Sequence, residues 1–207
     1  KRKEWLENTI IIPVDAHQDL FGLNRFDPNG TKERCDLLLV NILEDGSYKL
    51  DLVEVKARKG RYVADLPIWM KNQLDNTESL LNKLLFSEVS TRVDRDIQWS
   101  RWISLLHFYL DRSHIHGTIL SENVDKLHDL IEIIGENQQP PVFNKLGFIV
   151  SLEAEAREDQ QIDHDYKVII LSEERLSQDG WTTLSESALK SNEVQTTDED
   201  RQLETDF

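Results

Sequence analysis

Two apolar runs separated by four turn-forming residues constrain this chain more than any other feature. Leu37 to Leu43 is almost unbroken hydrophobic sequence, Tyr48 to Ala57 is a mixed run, and Glu44-Asp45-Gly46-Ser47 lies between them. The pattern predicts a β-hairpin. Its second strand ends in Leu52-Val53-Glu54-Val55-Lys56, and because side chains alternate along a strand, Glu54 and Lys56 leave the same face. A carboxylate and an ammonium at the end of an otherwise apolar strand are costly to bury without partners. That cost calls for a reason.

The remaining elements fall on either side of the hairpin. Thr9 to Val14 is a short β-branched run with Pro13 near its end, an edge or end-of-sheet strand. Residues 15–34 are loop-rich, with a turn signal at Asp27-Pro28-Asn29-Gly30. From Ile68 to Phe86 the spacing of Met70, Leu74, Thr77, Leu81 and Leu84 or Leu85 predicts a helix with one buried stripe, and Pro67 suits its start. Further helices are expected from about Thr91 to Arg112 and from Glu122 to Ile134, the latter with Ser121 as N-cap. Strands follow at Lys145 to Leu152 and Tyr166 to Leu171, and the sequence from about Glu186 is polar, acidic and aperiodic. Strand, hairpin, three helices and two strands imply an α/β class, an α+β mixed sheet covered by helices. A length of 207 residues suits one domain, residues 1–185 with a helical segment at about 68–135, followed by an acidic tail or linker at 186–207.

Charge bears on partners. The net charge of −15 argues at first against a polyanion. Its distribution weakens that objection: residues 151–207 hold 16 acidic and 5 basic residues, leaving 23 acidic and 19 basic for residues 1–150. Lys56, Arg58, Lys59 and Arg61 form the densest positive run after the N-terminus, and a ligand responds to the potential at its site. A single cysteine, Cys35, cannot form an internal disulfide, and no apolar run is long enough for a membrane span. The expected location is cytoplasmic. The chain does not begin with methionine, which fits a processed protein, a trimmed chain or a domain of something larger.

Two readings of Glu54 and Lys56 compete. In one they face solvent as an ordinary surface pair, with Asp36 across the strand. In the other they belong to a hydrolytic metal site, since carboxylates on adjacent strands supply the hard oxygen donors that Mg²⁺ prefers, and a lysine beside them can serve the attacking water and the phosphate charge. Hairpin register discriminates. A two-residue turn at Asp45-Gly46 pairs Asp36 with Val55 and sends it to the wrong face, whereas a three-residue loop at Asp45 to Ser47 pairs it with Lys56 and keeps a common face. The metal site therefore requires a three-residue or bulged hairpin.

Asp36, a hairpin, then Glu54-Val55-Lys56 resembles the PD-(D/E)xK nuclease superfamily, with its restriction-endonuclease-like α-β-β-β-α-β core. The resemblance covers residues 9 to 77, with the later strands as further sheet members. It implies that Asp36, Glu54 and the Val55 carbonyl bind Mg²⁺, with Mn²⁺ as a substitute, and that Lys56 serves the nucleophilic water. Gln73 on the first helix matches a glutamine present in some branches. Cys35 stands where the family motif has proline, and Glu4, Glu7 and Asp19 are unranked candidates for a further acidic ligand.

The resemblance implies a metal-dependent DNA endonuclease domain that hydrolyses phosphodiester bonds within a bacterial restriction or antiphage assembly. DNA contacts are expected from Arg58, Lys59 and Arg61, with Arg25, Lys32 and Arg34 in the preceding loop and His17 after the first strand. RNA shares the same phosphate chemistry, and double-strand cutting would require a dimer or paired sites. The expected partners are other subunits or domains of a larger complex, an ATP-driven motor among them, and the sequence itself has no GxxxxGK[ST] motif. The competing class is a catalytically silent nuclease-fold module that binds a protein partner. Trp99 and Trp102, near Arg95 and Arg101, fit core packing better than stacking on nucleic acid, His114 and His116 lack further zinc ligands nearby, and Asp163-His164-Asp165 suits a turn.

Overall fold

The structure, a computed structural model, describes residues 9–17, 34–58, 63–86, 92–151, 159–172 and 175. Among these residues six strands form one mixed sheet: β1 (Thr9–Pro13), β2 (Leu37–Ile42), β3 (Tyr48–Arg58), β4 (Val142–Ser151), β5 (Gln160–Gln161) and β6 (Tyr166–Ser172). Their spatial order is β1-β2-β3-β4-β6-β5. β1, β2 and β3 run antiparallel in turn, β4 lies parallel to β3, β6 parallel to β4, and β5 antiparallel to β6. Three helices, α1 (Leu66–Leu81), α2 (Arg92–Ile115) and α3 (Ser121–Asn137), carry the chain from β3 to β4. A parallel pair needs such a crossover, because no tight turn can join its strands.

Alternation decides the core. Ile10 and Ile12, Leu38 and Val40, Leu50 and Leu52, Ile149, and Val168 and Ile170 turn to the same side and merge with Met70, Leu74, Trp102, Leu106 and Ile131 of the helices in one apolar cluster. On the other face Asp51 accepts from Asn41 at 3.1 Å and Asn144 at 2.8 Å, a polar ladder across three strands. Trp102 is fully buried and Trp99 donates to the Gly135 carbonyl at 3.0 Å, so both pack, as their spacing predicts. Between α2 and α3 the His107 and His128 rings stack with centroids 4.9 Å apart, each with its Nε2 against a carboxylate, Glu132 and Asp111 respectively.

The β2–β3 hairpin has the expected loop length in a different register. Leu43 N–H donates to Ser47 O at 2.8 Å, and Gly46 N–H donates to Leu43 O at 3.1 Å. The three loop residues are therefore Glu44, Asp45 and Gly46, one position earlier than expected. Gly46 has φ of 78°, and a Cβ there would lie 2.6 Å from Cγ2 of Ile133. Both facts demand glycine at that third position. Leu37 then pairs with Val53, and one further step sets Asp36 opposite Glu54 rather than Lys56. The displacement is two residues along β3, so the common face survives.

Other differences are local. α1 starts at Leu66, with Pro67 in its first turn, and gives way at Asn82 to a π-helical turn, Asn82–Phe86. Ser121 is not the N-cap of α3: Leu120 holds that place, and Ser121 Oγ lies 3.0 Å from His114 Nε2. β5, only two residues long, carries no periodic signal in the sequence.

One buried cation clamps α1 to the sheet. Lys145, on β4, has a side chain 7 % exposed and donates to Asp75 at 2.7 Å, Glu78 at 2.7 Å and Asp165 at 2.8 Å. Burial alone would lower its pKa, yet the three carboxylates together raise it. Lys145→Ala would leave three carboxylates crowded without a counter-charge, and should cost about 3–5 kcal/mol in urea unfolding. Lys126→Ala, which removes an exposed pair with Glu44, should cost less than about 1 kcal/mol in the same assay.

Candidate metal centre

Asp36 is fixed from three directions by its own backbone neighbourhood. Its N–H donates to Val53 O of β3 at 2.9 Å, and its carbonyl accepts from Val14 N–H at 3.0 Å. The preceding N–H, of Cys35, donates to Thr77 Oγ1 on α1 at 2.9 Å, and that hydroxyl donates to Gln73 O at 2.9 Å. The carboxylate itself accepts from the Val55 N–H at 2.7 Å through Oδ2. Strand pairing and α1 together set the aspartate beside the end of β3.

Glu54 has no exposed surface at all. Its neighbours in register are Gly147 on β4 and, one strand further, Val168 on β6. A Cβ at Gly147 would lie 2.9 Å from both the Met70 methyl and the Tyr166 hydroxyl, so glycine there lets those two groups close over this part of the sheet. Tyr166 in turn donates to Pro67 O at 2.9 Å, tying β6 to the start of α1. The result is a dry wall beside a carboxylate whose Oε1 meets the Lys56 ammonium and whose Oε2 finds no hydrogen-bond partner among the described residues. Burial raises the Glu54 pKa to about 7; the charge of Asp36 adds to the rise, and the contact with Lys56 opposes it.

Lys56 is about a quarter exposed and opens onto a cleft of about 320 Å³, shared with Arg58, Leu66, Trp69, Asn72 and Gln73. Asp36, Glu54, Val55 and Lys56 thus gather at the end of β3, and Gln73 joins them across the cleft, its amide donating at 3.4 Å to the Arg34 carbonyl. His17 does not join them. Its Nε2 lies 2.8 Å from the Tyr109 hydroxyl, and it lines a separate cavity with Phe108, Arg112 and His116. Lys59, Arg61, Arg25, Lys32, Glu4, Glu7, Asp19 and the 186–207 tail lie outside the described residues.

The donor set fits a small divalent cation. A buried carboxylate with an orphaned oxygen, a second carboxylate opposite it and a backbone carbonyl at the same strand end are hard oxygen donors of the kind Mg²⁺ takes. Cys35 adds no soft ligand, since burial pushes its thiol up to about 12 and keeps it neutral. Among the described residues, Asp163, His164 and Asp165 also bring donor atoms within 4.8 Å of one another. They form an exposed turn whose two carboxylates already meet Lys71 and Lys145.

Sequence reasoning missed Trp69 and Asn72. The signal was present in their spacing: Trp69, Asn72 and Gln73 stand at i, i+3 and i+4, on one flank of α1 beside its buried stripe. Gly147 and Tyr166 carried no local signal, because their part depends on β4 and β6 lying next to β3.

The raised pKa of Glu54 has a consequence for stability. The folded chain holds the Glu54 proton up to about pH 7, while the unfolded chain releases it near the ordinary value of 4.5. The stabilising contribution of that bound proton is complete below pH 4.5 and is lost as the pH rises through 7. Glu54→Gln, neutral throughout, should therefore gain on the wild type by about 2–3 kcal/mol between pH 5 and pH 8 without divalent cations, as urea unfolding would show. A variant that loses equally at both pH values would mean that the pair with Lys56 outweighs desolvation.

The chain was compared with protein-family models, curated proteins and solved structures, and none of them matches it.

Proposed function

We propose that this chain is a Mg²⁺-dependent endonuclease domain of the PD-(D/E)xK, restriction-endonuclease-like type, acting on DNA. The observation that carries the reading is Glu54: a fully buried carboxylate with an unpartnered oxygen, facing Asp36 and followed two residues later by Lys56. A side chain of that kind costs several kcal/mol to hold charged in the absence of a cation. The antiparallel β1-β2-β3 unit followed by α1 and a strand parallel to β3 agrees with the core that the resemblance implies.

Asp36, Glu54 and the Val55 carbonyl would hold the ion. When bound, Mg²⁺ supplies Lewis acidity, drawing charge from a phosphate oxygen and making water more acidic. The protein does the rest by position. Glu54 and Asp36 are anchored by β-sheet pairing and keep their geometry through turnover. The Lys56 ammonium, at the edge of the dry wall and open to the cleft, orients the attacking water and stabilises the charge that grows on the phosphate. Arg58, two residues on and lining the same cleft, meets the flanking phosphate, and the Gln73 amide faces the same space. In-line attack forms the new bond between phosphorus and water oxygen as the bond to the leaving oxygen breaks.

The proposal extends to context. No helix among the described residues is long and apolar enough to cross a membrane. A cytoplasmic role beside other subunits of a restriction or antiphage system, an ATP-driven motor among them, agrees with a net charge of −15 that weakens unaided capture of DNA. The ion pair between Lys56 and Glu54 favours a second reading. A pair that neutralises itself is how a silent nuclease-fold module would satisfy the same carboxylate.

Nicking of supercoiled plasmid separates the two. The purified protein should nick with Mg²⁺ or Mn²⁺ and not with EDTA, and Asp36→Ala and Lys56→Ala, each checked for folding, should lower the rate about 100-fold or more. Folded wild type that neither nicks nor shifts its melting temperature with Mg²⁺ would establish the silent module.

A further inference from the structure

The cleft beside Lys56 has a composition of its own. Lys56 and Arg58 contribute two cations from β3, and Trp69, Asn72 and Gln73 contribute an indole and two carboxamides from one flank of α1. No carboxylate lines it among the described residues, in a chain with 39 acidic residues. Trp69 is 55 % exposed although it neighbours Met70, which is fully buried. α1 thus turns Leu66, Met70, Leu74 and Leu81 to the core and leaves its largest aromatic ring in water beside the cations.

We infer that this cleft receives one unpaired nucleobase together with its phosphate, with Trp69 as the stacking face, so that the substrate is single-stranded or locally opened DNA. The inference rests on the nuclease reading of the adjoining carboxylates. Each wall matches one part of a nucleotide. An exposed indole stacks on a base of any sequence. Carboxamides offer a donor and an acceptor side by side and meet the Watson–Crick edge, as asparagine and glutamine do at base edges. Lys56 and Arg58 meet the phosphate charge. The volume of about 320 Å³ sits at the small end of ligand pockets, which run from about 300 Å³ upward, and accommodates one planar group rather than a duplex. Within a duplex the faces of a base are already covered by its neighbours, so only an unstacked base can use the indole. Leu66, buried at the start of α1, closes the floor.

Fluorescence anisotropy with labelled DNA of one sequence, as a single strand and as the matching blunt duplex, tests the inference in EDTA, where binding proceeds without cleavage. Trp69→Ala should weaken single-strand binding about 10-fold or more and leave duplex binding within about two-fold, while Trp69→Phe keeps most of the affinity. Trp69 is half exposed, so these variants should fold, and matched melting temperatures would verify it. An RNA strand held as tightly and lost in the same variant also supports the pocket, since the ring contacts the base and not the sugar. Equal loss for strand and duplex, or no loss in Trp69→Ala, overturns it. The two readings fail separately: strand binding that depends on Trp69 without any Mg²⁺-dependent cleavage keeps the pocket and removes the nuclease, whereas cleavage with unchanged KM in Trp69→Ala keeps the nuclease and removes the pocket.

Discussion

The buried Glu54 carboxylate is the constraint from which the arrangement of this protein follows. It sits on β3, with β2 on one side and β4 on the other, facing the helices. No surface of it is open to water, so apolar neighbours and the Lys56 counter-charge set its surroundings, and the Asp36 carboxylate opposite works against its charged form. Gly147 keeps the adjoining position on β4 free of a side chain, and the Met70 methyl and Tyr166 hydroxyl close in. Lys56 supplies a positive charge at contact distance, from the same strand and the same face. A carboxylate in these surroundings prefers to be neutral, and burial accordingly lifts its pKa to about 7. A charge held here works against stability, and that conflict is what the proposed metal site rests on.

Positioning comes from elements that serve the core first. The glycine at the third loop position sets the hairpin register, and the register sets Asp36 opposite Glu54. α1 is anchored at its start by Tyr166 through the Pro67 carbonyl, and in its second half by Lys145 through Asp75 and Glu78 and by Cys35 through Thr77 between them. The helix that holds Gln73 and Trp69 over the cleft is thus fixed to β4, β6 and the residue before Asp36. Few of these contacts are themselves chemical. They limit how far the cleft walls can shift relative to the carboxylates, and preorganisation of that kind is what electrostatic stabilisation requires.

Much of this was legible in the sequence, for reasons that individual residues show. The β2–β3 hairpin announced itself because its strands are apolar and its loop contains the glycine the turn needs. Parity along β3 then fixed which side chains share a face with Glu54, even though the expected register was two residues out. α1 was visible through its buried stripe, and its start was misplaced by two residues because Leu66 precedes a proline that the first turn tolerates. What the sequence withheld was non-local. The pairing of Gly147 with Glu54 and the reach of Lys145 to Asp75 and Glu78 join residues more than sixty positions apart, and no window of neighbouring residues encodes them, nor does the local pattern announce the π-helical turn after Leu81.

The charge of the chain bears on how such a site would be used. Long-range attraction between a protein of net charge −15 and a polyanion is unfavourable, and screening over about 8 Å at physiological salt confines any local field to the immediate cleft. Lys56 and Arg58 act within that distance and not beyond it. On the proposed reading, capture of nucleic acid would rest on short-range contacts, chiefly stacking and hydrogen bonding, or on a partner that delivers the strand. A base drawn from its stack satisfies the first condition, and a motor that opens duplex satisfies the second. On the proposed reading, both would bring a phosphate to the end of β3, where Asp36, Glu54 and Lys56 gather and where the burial of Glu54 sets the strongest electrostatic demand.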